Sequence, residues 1–281
     1  MTDLGRSPTF LQLQKIVCDA AEAIMAIYQQ ADLGIEQKSD NSPVTAADVA
    51  AHGIIRDGLM ALTPDIPILS EEAVVPYEQR IQWQRLWVVD PLDGTKEFIK
   101  RNGEFSINIA LVDNGRPIVG VVYLPTTAEG YIGVTENWQG LPLGAYKWHG
   151  ERIDQISVRE PRAPLVAMTS RSHGPSLPES LRQTLTDEFD AVRELPKGSS
   201  IKGCRIAEGI ADLHLRRGPT SEWDTAAQQA VIEAAGGALL TPTGEPFRYN
   251  QRKTLLNGHF FVAGPTIAPY VMAWYEQSEE S

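Results

Sequence analysis

The apolar run Leu86-Trp87-Val88-Val89 ends in Asp90-Pro91-Leu92-Asp93-Gly94-Thr95, and no other segment constrains the chain as strongly. A short, continuous apolar run predicts a buried strand, and two carboxylates three residues apart stand at its end. Like charges held there repel, and a divalent cation removes the cost. Hard oxygen ligands of this kind suit Mg²⁺ or Mn²⁺. Pro91 stiffens the turn, and Gly94 lets the backbone approach a ligand closely. A helix starting near Thr95 would turn its free N–H groups toward an anion beside the metal. Asp, Gly and Thr are also ordinary turn residues, so this segment alone leaves a capped turn and a metal site both open.

Other acids occupy comparable places. Ser70-Glu71-Glu72 follows the apolar run Ile66 to Leu69, although an adjacent acid pair equally suits a solvated surface. Asp224 follows Trp223 at the opening of a helix, where the helix dipole favours an acid in any case. Thr45-x-x-Asp48 has the form of a capping box. None of these carries a function by itself.

The surrounding pattern is mixed. Ser7-Pro8 predicts a helix start, and Leu13, Ile16, Val17, Ala20, Ile24, Ile27 and Tyr28 form its apolar face. A second helix is expected from Thr45 to about Leu62, stopped by Pro64. Phe105, Ile107, Ile109 and Leu111 alternate with Ser106, Asn108 and Ala110 as in a strand. Asn114-Gly115 then turns the chain into a return strand from Ile118 to Tyr123. A helix from about Trp223 to Ala235 closes at Gly236-Gly237. Arg159 to Pro164 is polar, bears prolines and forms a seam. The expected organisation is an N-terminal α+β half, 1–160, which binds metal, and a C-terminal α/β half, 161–281, which completes a site between them.

The 281 residues carry 25 Lys+Arg against 36 Asp+Glu, a net charge of −11. That balance argues against nucleic acid as the main partner. No apolar stretch is long enough to span a membrane, and no secretory signal is visible. Cys18 and Cys204 provide neither a disulfide framework nor metal-ligand spacing. A cytoplasmic location is expected, with peripheral attachment at the inner membrane face left open. Oligomeric state cannot be read.

Taken together, Glu71-Glu72, Asp90-Pro-Leu-Asp93-Gly-Thr95 and Trp223-Asp224-Thr225-Ala226-Ala227 stand in an order that resembles the inositol monophosphatase-like, lithium-sensitive phosphatases. The likeness extends from Lys38-Ser-Asp-Asn-Ser-Pro-Val-Thr-Ala-Ala-Asp48 through the Trp223 motif. The continuation Lys96-Glu-Phe-Ile-Lys-Arg-Asn-Gly-Glu-Phe105, with Ser170-Arg-Ser-His173 and Gly198-Ser-Ser-Ile-Lys202, resembles the CysQ-type 3′(2′),5′-bisphosphate nucleotidase branch. The resemblance implies an α/β fold, an α+β layered sandwich of alternating α and β layers. It also implies a sulfur-metabolism hydrolase acting on 3′-phosphoadenosine 5′-phosphate, with the sulfated 3′-phosphoadenosine 5′-phosphosulfate as a possible second substrate.

The same resemblance distributes roles. One Mg²⁺ would be held by Glu71, Asp90 and the Leu92 carbonyl, and a second by Asp90, Asp93 and Asp224. A weaker third would lie near Glu71 and Asp48. Thr95 and Asp48 would orient or deprotonate the attacking water, so Asp48, Glu71 and Thr95 form the catalytic set. The ribose 3′-oxygen would leave, with no covalent phosphoenzyme. Lys202 and Arg216 are expected at the 5′-phosphate and His173 near the adenosine. Gly94, Thr95, Ser170, Gly198 and Asp224 complete the substrate contacts. Lys96, Lys100 and Arg101 read as a solvated helix face.

Rival readings are weaker. Haloacid dehalogenase-type phosphatases place their acids two apart rather than three. Glycosidases need no third acid motif, and no Gly-x-x-x-x-Gly-Lys-Ser/Thr loop is present for a kinase. Within the family, inositol monophosphatase and fructose-1,6-bisphosphatase activities share the metal chemistry and remain open. A bisphosphate nucleotide sensor without turnover is disfavoured because all the acids are present.

Overall fold

The structure, a computed structural model, describes residues 3–37, 43–172 and 177–279. Helix α1 (Pro8–Tyr28) begins as its sequence predicts, with the Ser7 side chain accepting from the Phe10 N–H and Pro8 in the first helical turn. Leu13, Val17, Ala20 and Ile24 bury its apolar face. Helix α2 (Ala46–Leu62) opens on the Thr45–Asp48 capping box and stops before Pro64. The remaining α-helices among the described residues are α3 (Tyr77–Arg80), α4 (Thr95–Ile99), α5 (Glu179–Phe189), α6 (Ile201–Ala207), α7 (Glu222–Ala234) and α8 (Ala268–Glu279).

Seven strands form the first sheet in chain order, from Ile68–Ser70 and Arg85–Asp93 to Arg152–Ile156. The first pair is parallel and the others are antiparallel. The hairpin between Ser106–Asp113 and Arg116–Leu124 turns at Asn114 and Gly115, both at positive φ, the backbone that a two-residue hairpin of this twist needs. A second, five-stranded sheet runs Val192–Lys197, Leu165–Ser170, Leu213–Arg216, Phe260–Ala263 and Ala238–Leu240 in spatial order.

These elements stack as helices α1 and α2, the first sheet, helices α6 and α7, the second sheet, and helices α5 and α8. Three hydrophobic cores fill the four spaces between these layers, the second of them lying on both sides of α6 and α7. The alternating layers expected from the sequence are therefore present. The strand Ser106–Asp113 has both faces buried, because α7 covers the side opposite α1 and α2. Its alternation consequently does not separate core from solvent. Ser106 and Asn108, 0% and 1% exposed, are instead buried polar groups.

Helix α7 lies unusually close to the first sheet. A Cβ on Gly120 or on Gly133 would collide with the backbone carbonyls of Ala227 or Ala230. Glycine at these two cross-strand partners allows the approach, and Ala226, Ala227, Ala230 and Val231 fill the contact. The helix therefore has little freedom to shift, and its first turn carries Asp224.

Candidate active site

Asp90 pairs in register with Asn108 and Asp93 with Ser106, so the strand Arg85–Asp93 bulges between its two acids. Bulges of this kind re-aim side chains at the end of a ladder. Asp90 Oδ1 accepts from the Leu92 N–H at 3.0 Å. Asp224 arrives on α7, where its Oδ2 caps the helix by accepting from the Ser221 N–H at 2.7 Å. One carboxylate oxygen from each of Asp90, Asp93 and Asp224 lies within 4.8 Å of the others.

Burial, reinforced by the charges of Glu71, Asp93, Asp224 and Asp48, raises the Asp90 carboxyl well above the usual range. Burial and then the Asp93 charge push Asp224 up to about 8. Asp93 is also raised by burial, against the opposing pull of Lys202, Ser200 and Asn108. Asp90 is buried and Asp93 and Asp224 are half-buried, and three such acids that resist ionising together form a set short of positive charge. Their donors are all carboxylate oxygens, the chemistry a hard divalent cation requires, so the residues present fit the metal expected from the sequence.

Neighbouring groups fix the cluster. Asp93 Oδ2 accepts from the Ser200 N–H at 2.7 Å and the Ser200 Oγ at 3.0 Å. Asn108 Nδ2 donates to the same oxygen at 3.3 Å and Ser106 Oγ at 3.4 Å. Thr95 Oγ1 lies 3.4 Å from Asp48 Oδ1 and 3.3 Å from the Leu92 carbonyl. The Glu71 N–H donates to the Val89 carbonyl at 3.1 Å, which ties the end of one strand to the next. Glu71 lines the same cleft but stands outside the three-carboxylate cluster.

The cleft encloses about 610 Å³ and takes residues from both sheets. The same cleft is lined by Gly198, Lys202, Ser170 and Arg216. Lys202 is 9% exposed and donates to the Ser199 carbonyl at 2.5 Å. Burial lowers its pKa to about 8, with Asp93 opposing the fall. Arg216 Nη1 donates to Ser170 Oγ at 3.3 Å and Nη2 to the Pro219 carbonyl at 3.2 Å. Gly94 caps α4 at φ +94, and a Cβ on Gly198 would sit 2.6 Å from the Glu104 carbonyl. His173 and residues 38–42 of the first motif lie outside the described residues.

Lys96, Lys100 and Arg101 are exposed, as expected, yet they are not simply solvated. Lys96 lines the cleft, Lys100 donates to Ser172 Oγ at 2.9 Å, and Arg101 donates to the carbonyls of Tyr28 and Gln30.

Sequence reasoning missed Glu104. It is 7% exposed and accepts from Arg171 at 2.6 and 2.8 Å, Lys197 at 3.0 Å and the Gly198 N–H at 2.9 Å. Burial alone would raise its pKa, but these donors together hold it below the usual carboxylate range. Ser200, Asn108 and the buried His214 were missed as well. They are uncharged or isolated in sequence, and only the meeting of the two sheets gives them a role.

The sequence profile of the inositol monophosphatase family matches residues 8–272. The chain belongs to the inositol monophosphatase family. The 3′(2′),5′-bisphosphate nucleotidase CysQ of Escherichia coli O157:H7 is 48% identical over 254 residues, covering 90% of this chain and 98% of that protein. The protein of the same description from Haemophilus influenzae is 32% identical over 260 residues, covering 90% and 91%. Among solved structures, CysQ from Bacteroides thetaiotaomicron superposes with a TM-score of 0.78 at 39% identity, covering 90% of this chain and 96% of that one. An IMPase of Thermotoga maritima gives a TM-score of 0.75 at 22% identity, with coverage of 95% and 96%, a likeness of fold alone. This inositol monophosphatase family member therefore has both the fold its motifs imply and the expected kinship with the bisphosphate nucleotidase branch.

Proposed function

We propose that the chain is a Mg²⁺-dependent 3′(2′),5′-bisphosphate nucleotidase that hydrolyses the 3′-phosphate of 3′-phosphoadenosine 5′-phosphate, giving AMP and phosphate. The observation that carries this reading is one cleft lined both by an acid cluster, Asp90, Asp93 and Asp224, and by two basic groups, Lys202 and Arg216. Such a cleft suits a substrate with two anionic ends. The likeness to proteins named as bisphosphate nucleotidases supports the same reading.

Asp90, Asp93 and Asp224, with Glu71 and the Leu92 carbonyl at the flank, would hold two Mg²⁺ ions, and Glu71 with Asp48 a weaker third. Bound there, the metal supplies a Lewis acid for the phosphoryl oxygens and a lowered pKa for the attacking water. The protein's own groups do the remaining work. Thr95 Oγ1 donates toward Asp48 Oδ1, which leaves its lone pairs to accept a proton from that water and pass one on to Asp48. Lys202 and Arg216 hold the 5′-phosphate by charge-assisted hydrogen bonds, with Ser170 and Gly198 beside them. The ribose 3′-oxygen leaves and takes its proton from solvent.

In this reading, 1–160 and 161–281 act as two halves that meet across the cleft. The enzyme works on a small nucleotide in the cytoplasm, which its two free thiols, Cys18 and Cys204, support. None of the helices, among the described residues, is long and apolar enough to cross a membrane.

The test is phosphate release from 3′-phosphoadenosine 5′-phosphate and from inositol 1-phosphate, side by side, with Mg²⁺ and with excess EDTA. The reading expects a strong nucleotide preference that EDTA abolishes. Preference for inositol phosphate overturns the substrate assignment, and release that survives EDTA overturns the metal dependence.

A further inference from the structure

His214 lies on the strand Leu213–Arg216, two residues before Arg216, so both side chains project from the same face of the second sheet. It is 2% exposed, and it lines the cleft. Its Nδ1 lies 2.8 Å from the carbonyl of Met168, its register partner on the adjacent strand. A carbonyl only accepts, so Nδ1 carries the proton and the tautomer is fixed. The ring edge packs against Phe260, with centroids 6.0 Å apart and planes at 79°, which holds the imidazole in one orientation.

Nε2 is consequently a bare acceptor, and it makes no hydrogen bond to the described residues. Burial, then the neighbouring Lys202 and then Arg216, lower the imidazole pKa to about 3, against the pull of the Met168 carbonyl. The ring stays neutral at working pH. An unpaired acceptor that opens onto a cleft is placed to take a hydrogen bond from a ligand donor. Of its neighbours in the cleft, Lys202 and Arg216 are donors only. His214 adds the opposite hydrogen-bonding character to the cleft.

We propose that His214 Nε2 accepts a hydrogen bond from the free 2′-hydroxyl of the substrate ribose and so makes the enzyme selective for ribonucleotides. This inference rests on the nucleotidase reading. With the 3′-phosphate at the acid cluster and the 5′-phosphate at Lys202 and Arg216, the sugar must bridge the two. His214 borders that span, and its electrostatic neighbour Lys202 also acts on Asp93. A nucleoside 3′,5′-bisphosphate has one free sugar hydroxyl, the 2′.

The experiment compares 3′-phosphoadenosine 5′-phosphate, its 2′-deoxy analogue and the inosine analogue as substrates of the wild-type and His214→Phe proteins. Phenylalanine keeps the packing on Phe260 and removes the acceptor. The wild type is expected to prefer the ribonucleotide over the deoxy analogue about tenfold in kcat/KM, the scale of one lost hydrogen bond with its partner left buried. His214→Phe loses that same factor on the ribonucleotide and almost nothing on the deoxy analogue. Should the variant fail to fold, His214→Leu takes its place, and equal wild-type rates on the two sugars still overturn the inference. Equal wild-type rates on both sugars, or an equal loss on both in the variant, overturn the inference while leaving the nucleotidase reading intact. A variant whose lost discrimination is between adenine and hypoxanthine assigns the acceptor to the base and overturns the sugar contact. A wild type inactive on every nucleotide overturns the nucleotidase reading, and this inference with it.

Discussion

Asp48 divides its carboxylate between two elements: Oδ2 accepts from the Thr45 N–H at 2.7 Å and the Thr45 Oγ1 at 2.6 Å, while Oδ1 lies 3.4 Å from Thr95 Oγ1. The capping box and the proposed proton relay would thus use the same side chain twice. The cap orients the carboxylate, and that orientation presents the second oxygen to Thr95. Asp48→Asn keeps an oxygen for the cap but loses the proton acceptor. Its kcat is expected to fall by about 10²–10⁴, with a stability loss of no more than about 1 kcal/mol. Thr95→Val behaves alike. Steady-state kinetics and thermal melting check both variants, and near-normal kcat in either removes the relay.

Asp90 combines the deepest burial with the most like-charge neighbours of the cluster. Asp90→Asn removes a charge that the metal needs and the metal-free protein does not want. Hydrolysis is expected to vanish, as is the thermal shift on adding Mg²⁺, while the metal-free protein melts no lower than wild type. Retention of more than a few per cent of activity at saturating Mg²⁺ contradicts the assignment of Asp90 as a ligand.

The raised carboxyls also set a pH dependence. Between the ordinary carboxylate range near 4 and the value of about 8 for Asp224, the metal-free native state binds more protons than the unfolded chain. Stability then falls as pH rises through this window. Mg²⁺ competes with those protons, so its stabilising effect grows over the same range. Melting curves with Mg²⁺ and with EDTA, at about pH 5.5 and about pH 8.5, measure the difference. A Mg²⁺-induced shift equal at both ends excludes proton-linked binding.

Glu104, just before the strand Ser106–Asp113, is tied to the end of the second sheet through Arg171, Lys197 and the Gly198 N–H. Two residues past Gly198, Ser200 holds Asp93. Glu104→Ala is expected to cost about 1–3 kcal/mol in urea unfolding and to weaken Mg²⁺ binding, because the Gly198–Ser200 backbone loses its anchor. Glu104→Gln, which keeps an oxygen for Gly198, falls between. Unchanged Mg²⁺ affinity in the alanine variant confines Glu104 to a stabilising role.

Much of this was legible in sequence where local chemistry and final position coincide. Ser7-Pro8, Thr45–Asp48 and Asn114-Gly115 act as caps and turns because their hydrogen bonds span a few residues. Asp90, Asp93 and Asp224 stood out because acids at the end of an apolar run or helix start are conspicuous, and a family resemblance set them in order. Glu104 and His214 were silent because their partners come from other strands: Arg171 and Lys197 for the first, Met168 and Phe260 for the second. The alternation around Ser106 and Asn108 identified a strand but not its setting. Burial of both faces follows from α7, which enters more than a hundred residues later in the chain.

The proposed reaction depends on one orientation of the substrate, with the 3′-phosphate at the acids and the 5′-phosphate at Lys202 and Arg216. Phosphorus NMR of the products formed from 3′-phosphoadenosine 5′-phosphate with Mg²⁺ tests it most directly. The account predicts inorganic phosphate and adenosine 5′-phosphate as the only products. Accumulation of adenosine 3′-phosphate, or no Mg²⁺-dependent release at all, contradicts it.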